Sequence, residues 1–264
     1  MPSVSNVAIG ANMAASAATK ARHGMNESIA RLSTGIRAMY GGDAAGHSAG
    51  TIATAHGKSF AQAARNVEDG ISLAQMQESV LLEIANLAQR MRELGIAFDN
   101  AGVLDGNQEA ALTAEVASIG DTIESLVDNT KFNDHAILTN SATQFAIAYD
   151  HKTANTTNVG ANTAIARTDT IASADGADTS ADTILGSVAA ALGNVAADLS
   201  ALKAHQGAAS ATSANLAAAG ARLLDTDFAL ETASLTKNAI LNQAALAMTA
   251  QANQAQSAIL AVLQ

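Results

Sequence analysis

Cysteine and tryptophan are absent from the sequence, and proline occurs once, as Pro2. Without cysteine there is no disulfide framework, no thiolate metal site and no cysteine nucleophile. Without proline after residue 2 nothing forces a helix to break. Aromatics are scarce at 3% and charged residues at 14%. The balance of 14 Lys and Arg against 24 Asp and Glu, a net of -10, excludes the basic face that nucleic acid requires. Residues 1–19 contain no Lys or Arg and no run of large apolar side chains, so a secretory signal peptide is not expected and any export would take another route.

What is abundant is alanine. Apolar residues make up 48% of the 264, about 127, and 64 of them are alanine. Alanine buries little area, so a thick globule of this length would lack the Leu, Ile, Val and Phe that stabilise one. It is also the best helix former. Long, closely packed helices are the first expectation.

Apolar positions recur in a 4,3 pattern, the spacing of helices packed on helices. One stretch runs Val4, Ala8, Ala11, Ala15, Ala18, Met25, Ile29, Leu32 and stops at Gly35. A second reads Leu73, Met76, Val80, Ile84, Leu87, Met91, Leu94, Phe98, and a third Leu112, Val116, Ile119, Ile123, Leu126, after the turn-like Asp105-Gly106-Asn107. The fourth is Val188, Leu192, Val195, Leu199, Leu202, and a last one runs Leu241, Ala245, Met248, Ala252, Ala255, Ile259, Val262. From about Thr139 to Thr183 the composition turns to Thr, Asn, Asp, Ser and Ala, and the alternation Phe145, Ile147, Tyr149 predicts one half-buried strand. The fold class expected is mainly α: long antiparallel helices in a coiled-coil-like rod, paired terminal helices and a small β-rich insert.

Both ends are uncharged, over residues 1–19 and again after Lys237. A membrane span is excluded because Asn242, Gln243, Gln251, Asn253, Gln254 and Gln256 interrupt every 18-residue window there. Alanine stripes are too thin to stabilise a terminal hairpin alone, and a crowded, uncharged interior supplied by neighbouring subunits suits them better.

Several segments resemble the bacterial flagellins. They are Arg31-Leu32-Ser33-Thr34-Gly35-Ile36-Arg37 with Asp43-Ala44-Ala45-Gly46, Ala64 to Gln75, Gln89-Arg90-Met91-Arg92-Glu93-Leu94 and Lys131-Phe132-Asn133. On the C-terminal side Asp225 to Glu231, Ile240 to Ala244 and Ala250 to Gln254 match in the family order. The segment Ala38 to Asp43 is shorter than is usual in the family and holds one Asp, and the chain ends in Gln264 rather than a basic residue.

The resemblance implies a non-enzymatic, cofactor-free structural subunit that self-assembles into the helical flagellar filament for swimming, secreted and extracellular. The hook–filament junction protein, which shares these terminal patterns, is the alternative. The division implied is 1–42 with 225–264 as the paired-helix inner core, 43–139 with 184–224 as the outer-tube rod, and 140–183 as a short exposed insert. Inner contacts fall to Val4, Ala8, Ala11, Ile29, Leu32, Leu241, Met248, Ile259 and Val262. Gln89, Arg90, Glu93, Leu94 and Glu115 correspond to an outer-tube patch at which the vertebrate innate receptor TLR5 binds flagellin monomers. Partners implied are other copies of the chain, the flagellar type III export apparatus, an export chaperone, and hook-associated and cap proteins, with no nucleic acid and no membrane. Exposed hydroxyls of the insert, among them Thr156, Thr157, Thr168, Thr170, Ser173, Thr179 and Ser180, are candidate glycosylation sites, and Asn155-Thr156-Thr157 is an N-x-T sequon.

Other motifs fail on spacing. His56-Gly57-Lys58-Ser59 ends like a phosphate-binding loop, but Ile52 stands where the first glycine belongs. Asp175, Asp178 and Asp182 lack calcium-loop spacing and read as a solvated acidic loop. The six histidines show no ligand spacing and receive no site.

Overall fold

In a computed structural model the chain is described over residues 2–37, 43–100, 102–138, 145–152, 155–160, 165 and 173–263, the side chains of 2–8, 145, 259, 260, 262 and 263 excepted. The elements are α1 (Pro2–Thr34), α2 (Ala44–Phe98), α3 (Gly106–Asn129), β1 (Lys131–Phe132), β2 (His135–Ala136), β3 (Phe145–Ala148), β4 (Thr156–Val159), α4 (Ala177–Leu224) and α5 (Phe228–Leu263). Two compact units share them, one of residues 1–55 with 215–264, the other of 56–214.

The helix ends follow local chemistry. Gly35, at φ 71°, ends α1 in the left-handed conformation that glycine adopts freely, and its N–H donates to Arg31 O at 2.8 Å. Asp43 caps α2 by accepting from Gly46 N at 2.8 Å, and Asp227 caps α5 by accepting from Ala229 N at 2.9 Å. At α3, Asp105 accepts from the N–H groups of Asn107 and Gln108, while the Gln108 side chain accepts from Asp105 N. That reciprocal capping box stands at the turn expected from the sequence.

The core of the larger unit joins α2, α3 and α4. Buried positions on α2 include Ala63, Val67, Gly70, Ala74, Gln77, Leu81, Ile84, Ala88, Met91 and Gly95, an unbroken 4,3 series, with Leu73 and Leu94 buried beside it. The stripe expected through the large side chains meets this row at Ile84 and Met91 and borders it at Leu73 and Leu94. Met76 is exposed and Val80 and Leu87 are half-buried at the flanks, while alanine and glycine alternate with large residues along the seam. On α3 the buried set is Val116, Gly120, Ile123 and Val127, leaving Ile119 and Leu126 at the edge. Glycine stands in the seam where helix backbones approach most closely. A Cβ on Gly95 would lie 2.4 Å from the backbone N of Asp178. Gln77 is fully buried in this row, and its Nε2 donates to Ile137 O at 2.8 Å.

On α4 the row Ala177, Ala181, Ile184, Val188, Ala191, Val195, Leu202 is buried. The helix therefore begins seven residues before Ile184, the expected start of the rod segment. Asp178 and Asp182 lie on its first two turns, not in an acidic loop, where their charge suits the helix N-terminus. Asp182 also pairs with Arg92 of α2 at 2.8 Å. Alanine makes α4 the one described helix long and apolar enough by composition to cross a membrane, and its largest apolar side chains line this core. Gly193 is exposed on α4, with open space where a Cβ would point. Gly193→Ala is expected to raise stability by about 0.5–1 kcal/mol, measured as a higher denaturation midpoint.

Among the described residues the β structure is two separate antiparallel pairs. Asn133 and Asp134, both at positive φ, form the two-residue turn between β1 and β2. Strand β3 was expected, and it pairs with β4, Ile147 opposite Thr157 and Ala148 opposite Thr156.

In the smaller unit α1 and α5 run antiparallel. Arg31 meets Glu231 at 3.6 Å, Gly24 lies against Asn238, and Gly10 and Ala14 share a groove with Met248, Ala252 and Ala255. The seam buries Ala18, Ala21, Ser28 and Ala245. Next to the helix pair, Ile36 bridges Asp225, Arg37 N donates to Leu224 O at 2.7 Å, and Thr226 N donates to Gly35 O at 2.9 Å.

Candidate assembly surface

The seam residues on α1 are Ala11, Ala14, Ala18, Ala21, Met25, Ser28 and Leu32, and on α5 Glu231, Leu235, Asn238, Asn242, Ala245, Thr249, Ala252 and Gln256. The large apolar side chains fall beside these rows. Ile29, Leu241 and Met248, expected at inner contacts, are 48%, 48% and 64% exposed in the single chain, whereas Ala11 and Leu32 are half-buried within the pair. Val4, Ala8, Ile259 and Val262 have side chains outside the described set.

Sequence reading missed further members of this surface: Ile9, Met13, Phe228, Leu230, Ile240 and Leu246 are all exposed, Met13 at 69%. A signal was available, since counting from the small residues instead of the large ones shifts the seam and turns these side chains outward. One helix pair thus presents exposed large apolar side chains on segments uncharged over 1–19 and 238–264, interspersed with exposed Asn12, Ser16, Gln243, Gln251, Asn253 and Gln254. Charges join the two helices at one end. Glu231, nearly buried, pairs with Arg31, which also reaches Glu27 at 3.9 Å.

The second candidate patch lies on the larger unit. The Arg90 guanidinium donates to Glu115 Oε1 at 2.8 and 3.0 Å and to Glu93 Oε2 at 3.3 Å. Hydrogen bonding to Glu115 and then to Glu93 raises the Arg90 pKa above its ordinary value, so it is a permanent cation. Gln89 and Glu93 are exposed beside it. Leu94 is not part of this surface. It is 3% exposed, because its place next to the Gly95 seam position turns it into the core.

Among the candidate hydroxyls, Thr156, Ser173 and Thr179 are exposed and Thr157 and Ser180 half-buried, Thr179 and Ser180 being on α4 instead of in a loop. Thr168 and Thr170 lie outside the described residues. The sequon's Asn155 uses its side-chain amide as a donor to the Asp150 carboxylate. That bond, followed by the His151 backbone N–H, holds Asp150 below the usual carboxylate pKa.

Paired terminal helices with an alanine seam and outward apolar side chains define an all-helical structural protein of the self-assembling class. The comparison with known proteins specifies it. Residues 5–143 match the bacterial flagellin N-terminal helical region and residues 175–263 the bacterial flagellin C-terminal helical region. The flagellin of Halalkalibacterium halodurans is 33% identical, over 90% of this chain and 91% of that one. A flagellin of Xenorhabdus nematophila is 35% identical over 56% of this chain, a stretch that is 47% of its own length. Among solved structures, Bacillus cereus flagellin aligns with 58% of this chain and 88% of its own at a TM-score of 0.38 and 20% identity. The chain belongs to the bacterial flagellins and is a structural subunit of the extracellular flagellar filament.

Proposed function

We propose that the exposed apolar side chains of α1 and α5 form the contacts that build the filament interior, with Ile29, Leu241 and Met248 at their centre and Val4, Ala8, Ala11, Leu32, Ile259 and Val262 in the same layer. The observation that carries this reading is the mismatch between a seam of alanine and the large side chains left outside it. Such a surface on a single chain is an interaction site. A contact between unlike patches, repeated by a rotation that does not close, generates a helical polymer. The Arg90, Glu93 and Glu115 cluster, with Gln89 beside it, belongs in this reading to contacts of the outer tube and is the patch open to TLR5 on a monomer. Residues 1–42 with 225–264 then form the inner layer, 43–139 with 184–224 the outer one, and 140–183 the exposed excursion whose hydroxyls accept glycans. Secretion through the flagellar type III apparatus with an export chaperone, and capping by hook-associated and cap proteins, complete the assignment. Catalysis has no part in it.

The test is polymerisation of the purified full chain, seeded with filament fragments and followed by electron microscopy. Wild type is expected to grow long filaments, and Leu241→Glu combined with Met248→Glu to reduce growth at least about tenfold, because each buried charge lacks a partner. Monomer helicity is expected to change little, since Leu241 is 48% and Met248 64% exposed in the single chain. Growth of the double variant at the wild-type rate would remove this face from the interface.

A further inference from the structure

The β3–β4 hairpin is fastened to the helices of the larger unit by a cluster that the filament reading leaves unused. Ile147 lies over Gly70 of α2, where a Cβ would come within 3.0 Å of Ile147 Cγ1. Tyr149 stacks on His205 of α4, with ring centroids 4.0 Å apart and planes 20° apart. His151, just past β3, sets its ring 4.5 Å from that of His56 and 5.4 Å from that of Phe60, both on α2. Gly160, just past β4, donates its N–H to Asp198 of α4 at 3.0 Å. Asp150 orients His151 by accepting from its N–H and from Nδ1, both at 2.6 Å, and Asn155 completes the carboxylate's shell. His56 and His151, far apart in sequence, meet at the hairpin, and His205 packs on its Tyr149.

We propose that this cluster is a proton-sensitive latch: the hairpin stays docked on α2 and α4 while at most one imidazole of the His56–His151 pair is charged, and is released when both are. A first proton on His151 is accommodated because Asp150 is already in contact with it. A second, on His56, puts like charges on two rings 4.5 Å apart with one carboxylate to offset both. His205 does not oppose docking when charged, because an imidazolium over the Tyr149 ring is attracted by it. Of the other charged groups around the cluster, Lys58 on α2, Lys203 on α4 and Lys152 in the hairpin loop are exposed to solvent, and Asp198 is engaged by Gly160. Asp150 acts in a separate window. Its folded pKa is depressed, so its contribution is present above the ordinary carboxylate range of about 4 and is lost only as pH falls below it. Release on acidification from about pH 7.5 to pH 5, which stays above that range, is therefore not Asp150's.

Hydrogen exchange on the full chain, corrected for intrinsic rates, tests the latch. Between pH 7.5 and pH 5, amides of 145–148 and 156–159 are expected to lose about tenfold or more of their protection, while those of Leu81 and Ile84 in the helical core keep theirs. His56→Gln and His56→Phe, the second retaining an aromatic partner for His151, are expected to hold hairpin protection constant over the same range. Unchanged wild-type protection at pH 5 would overturn the proposal. So would acid release in the Phe variant equal to that of wild type.

Discussion

Deletion of residues 238–264 is expected to yield a chain that stays monomeric and forms no filaments under any seeding. The cut removes Asn238, Asn242, Ala245, Thr249, Ala252 and Gln256, the α5 side of the seam from Gly24 back to the start of α1. It also removes Leu241 and Met248, two of the large exposed side chains. The partnerless part of α1 has no stripe of large apolar residues to bury, and most helical stability in proteins comes from tertiary packing of an apolar face. The circular-dichroism signal is therefore expected to fall by more than the 27 deleted residues account for, while the larger unit keeps a cooperative unfolding transition. Its core of Leu81, Ile84, Met91, Ile123 and Ile184 contains no residue of α5. Filaments from the truncated chain, seen by electron microscopy, would refute the assignment of α5 to the assembly surface.

Gly95→Ala is expected to destabilise the larger unit by about 2 kcal/mol or more, although alanine is the better helix former by about 1 kcal/mol. The added methyl would stand 2.4 Å from the backbone N of Asp178 and 3.1 Å from the carbonyl carbon of Ala177. A side chain can rotate away from such a clash. A backbone cannot, so α2 and the first turn of α4 must separate, and the contacts of Leu94, Ala181 and Ile184 loosen with them. Chemical denaturation compared with Gly193→Ala is the check. The same substitution on an open face is expected to move the midpoint the other way, and a stabilised Gly95→Ala would show that the close approach is not a constraint on folding.

These two glycines show what the sequence discloses and where it stops. Five helices, the turn at Asp105-Gly106-Asn107 before α3 and the β3 alternation could be read directly, because propensity, turn chemistry and period act within a few residues of themselves. The register of the seams could be read only in part from the large side chains. Leu73, Ile84, Met91 and Leu94 of the expected α2 stripe are buried, but Met76, Val80 and Leu87 stand at its flank, and close approaches fall at Gly70 and Gly95. In an alanine-rich bundle, closeness of approach competes with area buried per residue, and hydrophobicity alone places only part of the row. On the terminal helices the same competition left Ile9, Met13, Ile240 and Leu246 on the outer surface, and Leu94, assigned also to the surface patch, belongs to the core. The start of α4 was obscured by its polar composition, though Ala177, Ala181 and Ile184 continue the 4,3 spacing. His56 and His151 show no local spacing because the hairpin, not the chain, brings them together.

Part of the seam of α1 works as a smooth rail. A slide of α1 by one heptad would bring Ala11 to the place of Ala18 and Ala14 to that of Ala21, and neither exchange changes a side chain, whereas Ala18 would come to the place of Met25 and Ala21 to that of Ser28. The run from Ala11 to Ala21 therefore supplies closeness with little address, and phase along the pair is held toward the other end, where Gly24 receives Asn238 and Arg31 meets Glu231.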